Sequence, residues 1–221
     1  MPSLTVENYL KTILQIGLRE GSDWVSSGQV SSALGVSPGT VTSMQKTLGE
    51  AELVDYRPYE GVSLTEAGRS LGMRVLRRHR LIEQFLVTTL GLNWDEVHEE
   101  AEHMEHAVSD DLVERIDEFL GRPQWDPHGD PIPTADGKWP EESSDPCVLS
   151  ECRVGTRVRV VRVTDQDSEF LKQLTRLGVA LGIEGCVVPH AVTAGDVTLE
   201  IEGVRVPLEP GASSRLLVEL I

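Results

Sequence analysis

The N-terminal third of the chain combines apolar residues at helical spacing with short clusters of turn-forming residues. In the stretch VENYLKTILQIGLRE (6–20) apolar positions recur every three to four residues, which predicts an amphipathic helix. Residues 27–34 predict a second, short helix, and residues 35–37 a tight turn. A third helix is predicted over 38–51, with Pro38 in the first turn, where proline is tolerated. Residues 53–64 predict a small hairpin, so the order of elements is that of a winged helix-turn-helix domain.

The pattern changes twice farther along the chain. Helical spacing predicts a long helix over 71–90, another from Asn93 or Asp95 to about residue 108, and a shorter one over 110–120. Residues 121–146 are rich in Pro, Gly and Asp, which predicts a loop and linker. Apolar and polar residues then alternate in five segments separated by turns, namely VRVVRV, CVVPHAV, VTLEIE, VRVPL and LLVEL. This period of two predicts a small all-β domain of roughly five strands that closes into a barrel.

These elements predict an α+β multidomain protein, and its 221 residues are enough for two or three domains. The winged helix-turn-helix domain is expected in residues 1–74. A helical domain is expected in residues 75–140, and the β-barrel in residues 148–221.

Composition limits the location and the partners. The chain opens with no secretory signal and has no apolar run near the ~20 residues that cross a bilayer, so no membrane association is expected. The cysteines, Cys147, Cys152 and Cys186, are odd in number and lack CxxC spacing. A disulfide framework is therefore not expected, and the predicted location is the reducing cytoplasm.

The formal net charge of −16 argues at first against nucleic acid as a partner. The charge is unevenly distributed, however: residues 1–74 carry a net charge of −2, residues 75–140 of −9 and residues 141–221 of −5. The excess lies in the middle segment, where metal cations could neutralise part of it. The nearly neutral N-terminal third neither supports nor excludes DNA on charge alone.

The segment HEEAEHMEH (98–106) concentrates ligating side chains on one predicted helix. His98, Glu102, Glu105 and His106 fall on one face of a helix of 3.6 residues per turn. Carboxylates gathered on one face repel each other, and a divalent cation removes that penalty. His79 and Glu83, at i and i+4 on the preceding helix, form a second group. The zinc-hydrolase motif HExxH is not present in this segment, because its histidines do not have the required spacing of four.

The whole chain resembles the diphtheria toxin repressor family of metal-dependent transcriptional regulators. The resemblance rests on ENYLKTI, VSPGTVTSM, LTEAGR, RHRLIEQFL, VHEEAEHMEHAVSDDL and the loop HGDPIP. It implies a DNA-binding domain, a helical metal-binding and dimerisation domain, and a C-terminal SH3-like (FeoA-like) barrel. The implied primary regulatory site consists of Asn8, Glu102, Glu105 and His106, and the implied second site of His79, Glu83 and His98, with Gln166 and Glu169 of the barrel as further candidates.

Departures from the family pattern bear on the choice of metal. The iron branch has Cys at the position of Glu102 and Met at that of Asn8, whereas the manganese branch usually has Asp at the position of Asn8 and, in some members, Glu at that of Lys11. The hard oxygen of Glu102 favours Mn²⁺ over Fe²⁺. The amide of Asn8 is a weaker ligand than a carboxylate, and Lys11 cannot bind a cation. The two implied sites lead us to expect two metal ions per chain, and the ion is Mn²⁺ or else Fe²⁺.

The resemblance also implies a homodimer on palindromic double-stranded operator DNA, with recognition helices about 34 Å apart. The dimer interface is expected on the apolar faces of the middle helices. Lys46 and Arg57 are the expected phosphate contacts, and Pro38 could touch a thymine methyl group. The remaining candidates on the recognition helix are Ser37, Thr40, Thr42, Ser43 and Gln45, of which Thr40, Ser43 and Gln45 are suited to contact bases.

Two other classes of function remain open on the sequence. A metalloenzyme could use the carboxylate-rich site with a metal-bound water as nucleophile. The helix-turn-helix argues against it, and no Ser–His–Asp arrangement or phosphate-binding glycine loop is evident. A winged-helix regulator could instead sense an organic ligand while the acidic helix is merely solvated. That alternative predicts that removal of metal leaves DNA binding unchanged.

Overall fold

The computed structural model describes residues 3–141, 145–189 and 197–221. The chain divides into two compact units. The first unit comprises Met1–His79, Glu105–Ala107 and Pro133–Lys138, and the second comprises Arg80–Met104, Val108–Ile132 and Trp139–Ile221.

The first unit begins with three helices, each started by a serine cap. Helix α1 spans Leu4–Glu20, α2 spans Ser27–Leu34 and α3 spans Pro38–Glu50. The hydroxyl groups of the capping serines accept hydrogen bonds from backbone N–H groups that have no partner within the first turn. The three predicted helices are confirmed, and α2 has the predicted bounds.

A two-stranded hairpin follows the helices. Strand β1 (Val54–Arg57) pairs antiparallel with β2 (Gly61–Leu64), as predicted. Gly61 has a φ of 126°, and a Cβ at this position would collide with the carbonyl of Val25, so glycine is required there. The helices and hairpin enclose one apolar core, which includes Leu10, Ile13, Val30, Val41, Leu48, Val54 and Val62.

Helix α4 runs without interruption over Glu66–Leu90. It contains the long helix predicted over 71–90 and begins five residues earlier, at Glu66. Residues 66–79 belong to the first unit and residues 80–90 to the second. The same helix therefore carries the ligand candidates His79 and Glu83 into different units.

Two helices follow α4 along the chain in the second unit. Helix α5 spans Val97–Met104 and α6 spans Asp110–Phe119. The helix predicted to extend to residue 108 thus ends at Met104, and the segment Glu105–Ala107 is a turn that belongs to the first unit. Ile82, Leu86, Val97 and Ala101 form one small core beside α5, and Leu81, Val113, Ile116 and Ile132 form another beside α6.

A six-stranded antiparallel sheet completes the second unit. Its strands are β3 (Cys147–Val148), β4 (Arg157–Val163), β5 (Glu184–Val188), β6 (Val197–Ile201), β7 (Val204–Leu208) and β8 (Leu216–Leu220). They pair in the order β3-β8-β4-β5-β6-β7. Helix α7 (Ser168–Arg176) was not predicted; it packs Phe170, Leu171 and Leu174 into the core of this unit. The predicted strand CVVPHAV is confirmed for its first residues only, because residues 190–192 lie outside the described part of the chain. The short helix α8 (Pro210–Ser213) lies between β7 and β8 along the chain.

Across the described ranges, no helix has both the length and the apolar character that crossing a membrane requires.

Candidate functional site

Three of the four residues expected in the primary site converge in the first unit. Nε2 of His106 lies 2.5 Å from Oδ1 of Asn8 and 3.1 Å from Oε1 of Glu105. Asn8 projects from α1, whereas Glu105 and His106 lie in the turn after α5. Ligands of a cation with bonds of about 2.1 Å lie roughly 3 Å apart at right angles, so these separations suit one small divalent cation.

The contacts of the two ring nitrogens of His106 also favour a cation at this position. Its Nδ1 lies 2.7 Å from Oε2 of Glu7, and because a carboxylate only accepts hydrogen bonds, Nδ1 carries the proton in the neutral ring. Nε2 then presents a lone pair to the oxygens of Asn8 and Glu105, which are acceptors as well. This arrangement of acceptors is relieved by a second proton on the imidazole, by rotation of the Asn8 amide so that its NH2 group donates to Nε2, or by a cation among them. A metal ion therefore suits the chemistry of this donor set.

Glu105 is fully buried and surrounded by positively charged or hydrogen-bonding groups. Nζ of Lys11 lies 2.6 Å from its Oε1, and Nδ1 of His79 lies 2.7 Å from its Oε2. Burial raises the pKa of Glu105, but the hydrogen bonds and charges of His79 and Lys11 outweigh it, so the pKa is lowered. Glu105 is thus held in the ionised form, the form that ligates metal.

Arg78 supports the same group of residues. Its Nη1 lies 3.8 Å from Oε2 of Glu7 and donates a hydrogen bond of 3.4 Å to the backbone carbonyl of Glu105. Arg78 is buried on α4, so it fixes Glu7 and the turn at Glu105 against one helix. This support orients His106 through the contact of Glu7 with Nδ1.

The fourth expected ligand, Glu102, belongs to the second unit. It lies on α5, is partly exposed, and its Oε1 is 3.9 Å from Nε2 of His98. Glu99, Glu100 and His103 of the same helix are exposed.

A second donor cluster lies inside the second unit and includes two residues that the sequence analysis missed. Glu83, Asp126 and His128 are all buried and offer ligand atoms within 4.8 Å of one another. Nδ1 of His128 lies 3.8 Å from Oε2 of Glu83 and 4.0 Å from Oδ1 of Asp126. These distances are too long for hydrogen bonds but fall within the roughly 4.2 Å that two ligands of one cation can span.

His128 is oriented as metal-binding histidines are. Its Nε2 lies 2.7 Å from the carbonyl oxygen of Trp94, so Nε2 donates, and Nδ1 of the neutral ring is an acceptor. Among the described residues, this buried Nδ1 has no hydrogen-bond partner. Asp126 is held in turn by the backbone N–H groups of His128 and Asp130, which donate to its Oδ1. Burial, with the charges of Asp130 and Glu83, raises the pKa of Asp126 well above its ordinary value, although Arg80 opposes the shift.

The other residues expected in the second site belong to both compact units. Nδ1 of His98 lies 3.3 Å from Oε1 of Glu83, so these two are neighbours in the second unit. His79 belongs to the first unit, where it contacts Glu105. Gln166 donates a hydrogen bond of 3.0 Å to Oδ2 of Asp130, and Glu169 is exposed and accepts one of 3.1 Å from Lys172. The buried cluster of Glu83, Asp126 and His128 contains neither barrel candidate.

The expected DNA contacts lie mostly on an open surface. Ser37 and Thr40 share the N-terminal turn of α3, where the Ser37 hydroxyl accepts from the Thr40 N–H, and the Thr42 hydroxyl donates to the Pro38 carbonyl. In the wing, Arg57 stacks on Trp24 with its guanidinium carbon 4.4 Å from the ring centroid. The candidates with exposed side chains are Ser37, Pro38, Thr40, Ser43, Lys46 and Arg57, and Thr42 is partly exposed.

Gln45 is a correction to the predicted base contacts. Its side chain is 0% exposed, and its Oε1 accepts a hydrogen bond of 2.7 Å from the Ser27 hydroxyl. It occupies the same face of α3 as the buried residues Val41 and Leu48. A residue on this face packs against the domain core and cannot contact bases.

Comparison with known proteins agrees with this arrangement. Residues 1–62 match the N-terminal DNA-binding domain of the iron-dependent repressors, and residues 65–134 match their metal-binding and dimerisation domain. The iron-dependent repressor IdeR of Mycobacterium bovis is 33% identical over 207 residues, which cover 90% of this chain and 89% of IdeR. The chain belongs to the diphtheria toxin repressor family.

Solved structures of similar proteins extend the agreement to the whole fold. A manganese-dependent transcriptional repressor in complex with manganese has a TM-score of 0.85 and 39% identity, and the match covers 98% of this chain and 100% of that one. The manganese regulator SloR has a TM-score of 0.74 and 32% identity, with 98% of each chain covered. Residues 147–220 match the FeoA domain, so this family member has a winged helix-turn-helix, a helical dimerisation domain and a FeoA domain. The family consists of DNA-binding transcriptional repressors rather than enzymes.

Proposed function

We propose that this member of the family represses metal-homeostasis genes in the cytoplasm and binds its operator when Mn²⁺ is held by Asn8, Glu105 and His106. The observation that carries the proposal is the convergence of Asn8 Oδ1, Glu105 Oε1 and His106 Nε2, three acceptor atoms in contact. We retain Glu102 as the fourth ligand, as the resemblance to the family implies. Bound Mn²⁺ would accept the lone pairs that these three atoms direct toward one another.

The donor chemistry supports Mn²⁺ as the regulator. Asn8, Glu102 and Glu105 offer oxygen and His106 offers an imidazole nitrogen, so the proposed set contains no thiolate. Hard oxygen ligands suit Mn²⁺, whereas a soft sulfur ligand would favour metals later in the series. The similarity to a manganese-dependent repressor supports the same choice, and the similarity to IdeR keeps Fe²⁺ as the alternative.

The position of the site on α1 links it to DNA binding. Leu10 and Ile13 of α1 share one core with Val41 and Leu48 of the recognition helix α3. When α1 is fixed to the turn that carries Glu105, α3 is fixed with it. The DNA-competent arrangement is then the one that binds metal more tightly, and differential affinity of this kind is what allosteric control requires.

We propose that a second ion is held by Glu83, Asp126 and His128, with His98 beside it. The support is the buried, unprotonated Nδ1 of His128 facing two carboxylates, and the Trp94 carbonyl that orients the ring. This assignment retains Glu83 and His98, which were predicted for the second site. Asp126 and His128 replace the barrel candidates Gln166 and Glu169.

We propose that two chains form a homodimer through α6 and bind a palindromic operator. Leu112 and Phe119, seven positions apart on α6, are exposed, with Phe119 at 70%. Large exposed apolar side chains that lie close together on one surface are a common mark of a protein–protein interface. We propose that Lys46 and Arg57 contact phosphates and that Thr40 and Ser43 contact bases, with Ser37, Pro38 and Thr42 at the edge of the surface.

The variant Glu105→Gln tests the proposed function, with Glu99→Gln as a control of equal charge change on the exposed side of α5. Both proteins are freed of metal and titrated anaerobically with Mn²⁺, and binding to duplexes enriched from a random pool by the Mn²⁺-loaded wild type is measured. We expect Glu105→Gln to lose Mn²⁺-dependent DNA binding by roughly 100-fold or more, while Glu99→Gln behaves as wild type. Unchanged Mn²⁺-dependent binding by a folded Glu105→Gln protein would refute the site.

A further inference from the structure

Lys11 places a positive charge of the chain itself in the candidate metal centre. It lies one turn after Asn8 on α1, and its side chain is nearly as buried as that of Glu105, with a residue exposure of 3%. Its Nζ lies 2.6 Å from Oε1 of Glu105, within the range of a short charge-assisted hydrogen bond.

The ammonium contacts the same oxygen that a metal would use. Oε1 of Glu105 is also the atom 3.1 Å from Nε2 of His106, on the side of the carboxylate where the candidate ligands converge. A cation bound to Oε1 and Nε2 would therefore share a buried carboxylate oxygen with Nζ of Lys11. Two positive charges a few ångströms apart repel strongly where solvent screening is poor.

The charge balance around Glu105 also indicates that a metal ion and the Lys11 ammonium compete for this carboxylate. Glu7 and Glu105 are opposed by Lys11 and Arg78, whose ammonium and guanidinium groups contact them. The two anions and two cations already balance when no metal is bound. A divalent cation added to this group leaves excess positive charge unless the Lys11 ammonium moves away from Oε1.

We propose that Lys11 acts as a built-in competitor of the metal ion at Glu105 and sets the metal concentration at which the protein becomes loaded. The proposal rests on the proposed function of the site formed by Asn8, Glu105 and His106. In the metal-free protein the ammonium stabilises buried Glu105. Metal binding must displace the ammonium from Oε1, so apparent affinity is lower than the same ligands would give without Lys11.

The test compares wild type, Lys11→Met and Lys172→Met in the full chain, with Mn²⁺ alone as the probe. Methionine keeps most of the aliphatic length of lysine without the charge, and Lys172→Met makes the same change in net charge at an exposed ion pair with Glu169. Free Mn²⁺ is followed by electron paramagnetic resonance, and thermal unfolding is recorded with and without Mn²⁺. We expect Lys11→Met to bind one Mn²⁺ about tenfold or more tightly, and Lys172→Met to match wild type.

A second readout separates competition from a purely structural role. Lys11→Met should lower the unfolding temperature of the metal-free protein, because buried Glu105 loses a counter-charge. It should also widen the difference in unfolding temperature between the Mn²⁺-loaded and metal-free forms.

The outcomes distinguish this inference from the proposed function. If wild type binds Mn²⁺ at this site and folded Lys11→Met binds it equally or more weakly, competition by Lys11 is wrong and the site stands. If wild type binds no Mn²⁺ there, the proposed function fails first. Should Lys11→Met not fold, Lys11→Gln retains a hydrogen-bond donor without the charge and is expected to show the same gain. A structure of the Mn²⁺-loaded wild type with Nζ still bonded to Oε1 would also overturn the inference.

Discussion

Nε2 of His106 lies 2.5 Å from the amide oxygen of Asn8, although 98 positions separate the two residues along the chain. The contact joins the first helix of the DNA-binding domain to the turn after α5. Both atoms are hydrogen-bond acceptors when Nδ1 of His106 carries the proton, as its contact with Glu7 indicates. At the proposed metal site, a bound cation would turn this contact from an unfavourable one into a link that holds α1 in place.

As a neutral ligand of the proposed site, Asn8 should limit the affinity of that site for metal. Asn8→Asp replaces an amide oxygen with a carboxylate oxygen of nearly the same size and position. We expect Mn²⁺ affinity to rise roughly tenfold, because ligand charge strengthens binding of a hard cation. Isothermal titration with Mn²⁺ measures the change, and Asn93→Asp, which adds the same charge in the other compact unit, should leave the affinity as in wild type. Equal affinities for Asn8→Asp and wild type would remove Asn8 from the ligand set.

Glu102 decides the preference between metals if it is the fourth ligand. Glu102→Cys replaces a hard carboxylate with a soft thiolate, so the affinity for Fe²⁺ relative to Mn²⁺ should increase. Anaerobic competition between the two ions, read by metal analysis of the dialysed protein, reports the ratio. Glu100→Cys, an exposed neighbour on α5, is the matched control. A metal ranking identical in Glu102→Cys and wild type would contradict the argument from ligand softness.

The second cluster predicts a stoichiometry. His128→Gln removes the buried imidazole that faces Glu83 and Asp126, and we expect bound Mn²⁺ to fall from two ions per chain to one. His103→Gln, at an exposed position on α5, should retain two. Equilibrium dialysis with elemental analysis counts the ions, and circular dichroism establishes that the variant is folded. Two ions retained by folded His128→Gln would place the second site elsewhere.

The raised pKa of Asp126 gives a pH dependence to the metal-free protein. A carboxyl group whose pKa is higher in the folded than in the unfolded state contributes stability below its unfolded pKa of about 3.9, and loses it as pH rises through the folded pKa. Asp126→Asn cannot ionise, so its free energy of unfolding relative to wild type should rise between pH 4 and 7. The rise is about 1.4 kcal/mol for each unit by which folding raises the pKa.

Asp136→Asn is the control for this pH dependence. Hydrogen bonds from Lys138 and Thr134 lower the pKa of exposed Asp136 to about 2, so its contribution is lost only at acidic pH. The difference in free energy of unfolding between Asp136→Asn and wild type should stay nearly constant between pH 4 and 7. Denaturant unfolding in the presence of a chelator measures the free energy of unfolding of both variants. If the difference between Asp126→Asn and wild type does not change with pH, burial does not destabilise the ionised form of Asp126.

The fold was largely predictable because its helices carry their boundaries in the local sequence. Ser37 followed by Pro38 starts α3, and the apolar spacing of Leu10 and Ile13 defines the buried face of α1. Helix α7 was missed although Phe170, Leu171 and Leu174 have helical spacing. Its nine residues lie between strands, where the period-two pattern dominated the interpretation.

The site was predictable only in part, for a different physical reason in each case. Asn8, Glu105 and His106 were found because the family motifs fix them, whereas Asp126 and His128 lie in a loop without periodicity that only the fold brings to Glu83. Gln45 was misassigned from its side-chain chemistry. Its spacing of four from Val41 and three from Leu48 already places it on the buried face of α3.

The most direct test of metal-controlled DNA binding is an anaerobic titration of the chelated full chain with Mn²⁺, Fe²⁺ and Zn²⁺. The readout is fluorescence anisotropy of duplexes selected from a random pool by the Mn²⁺-loaded protein. We predict that the selected duplexes are two-fold symmetric with half-sites about one helical turn apart, and that Mn²⁺ at micromolar concentration or below strengthens binding at least tenfold over chelator. Equal affinity with chelator and with every metal would contradict the account, and a regulator sensing an organic ligand would then be the better explanation.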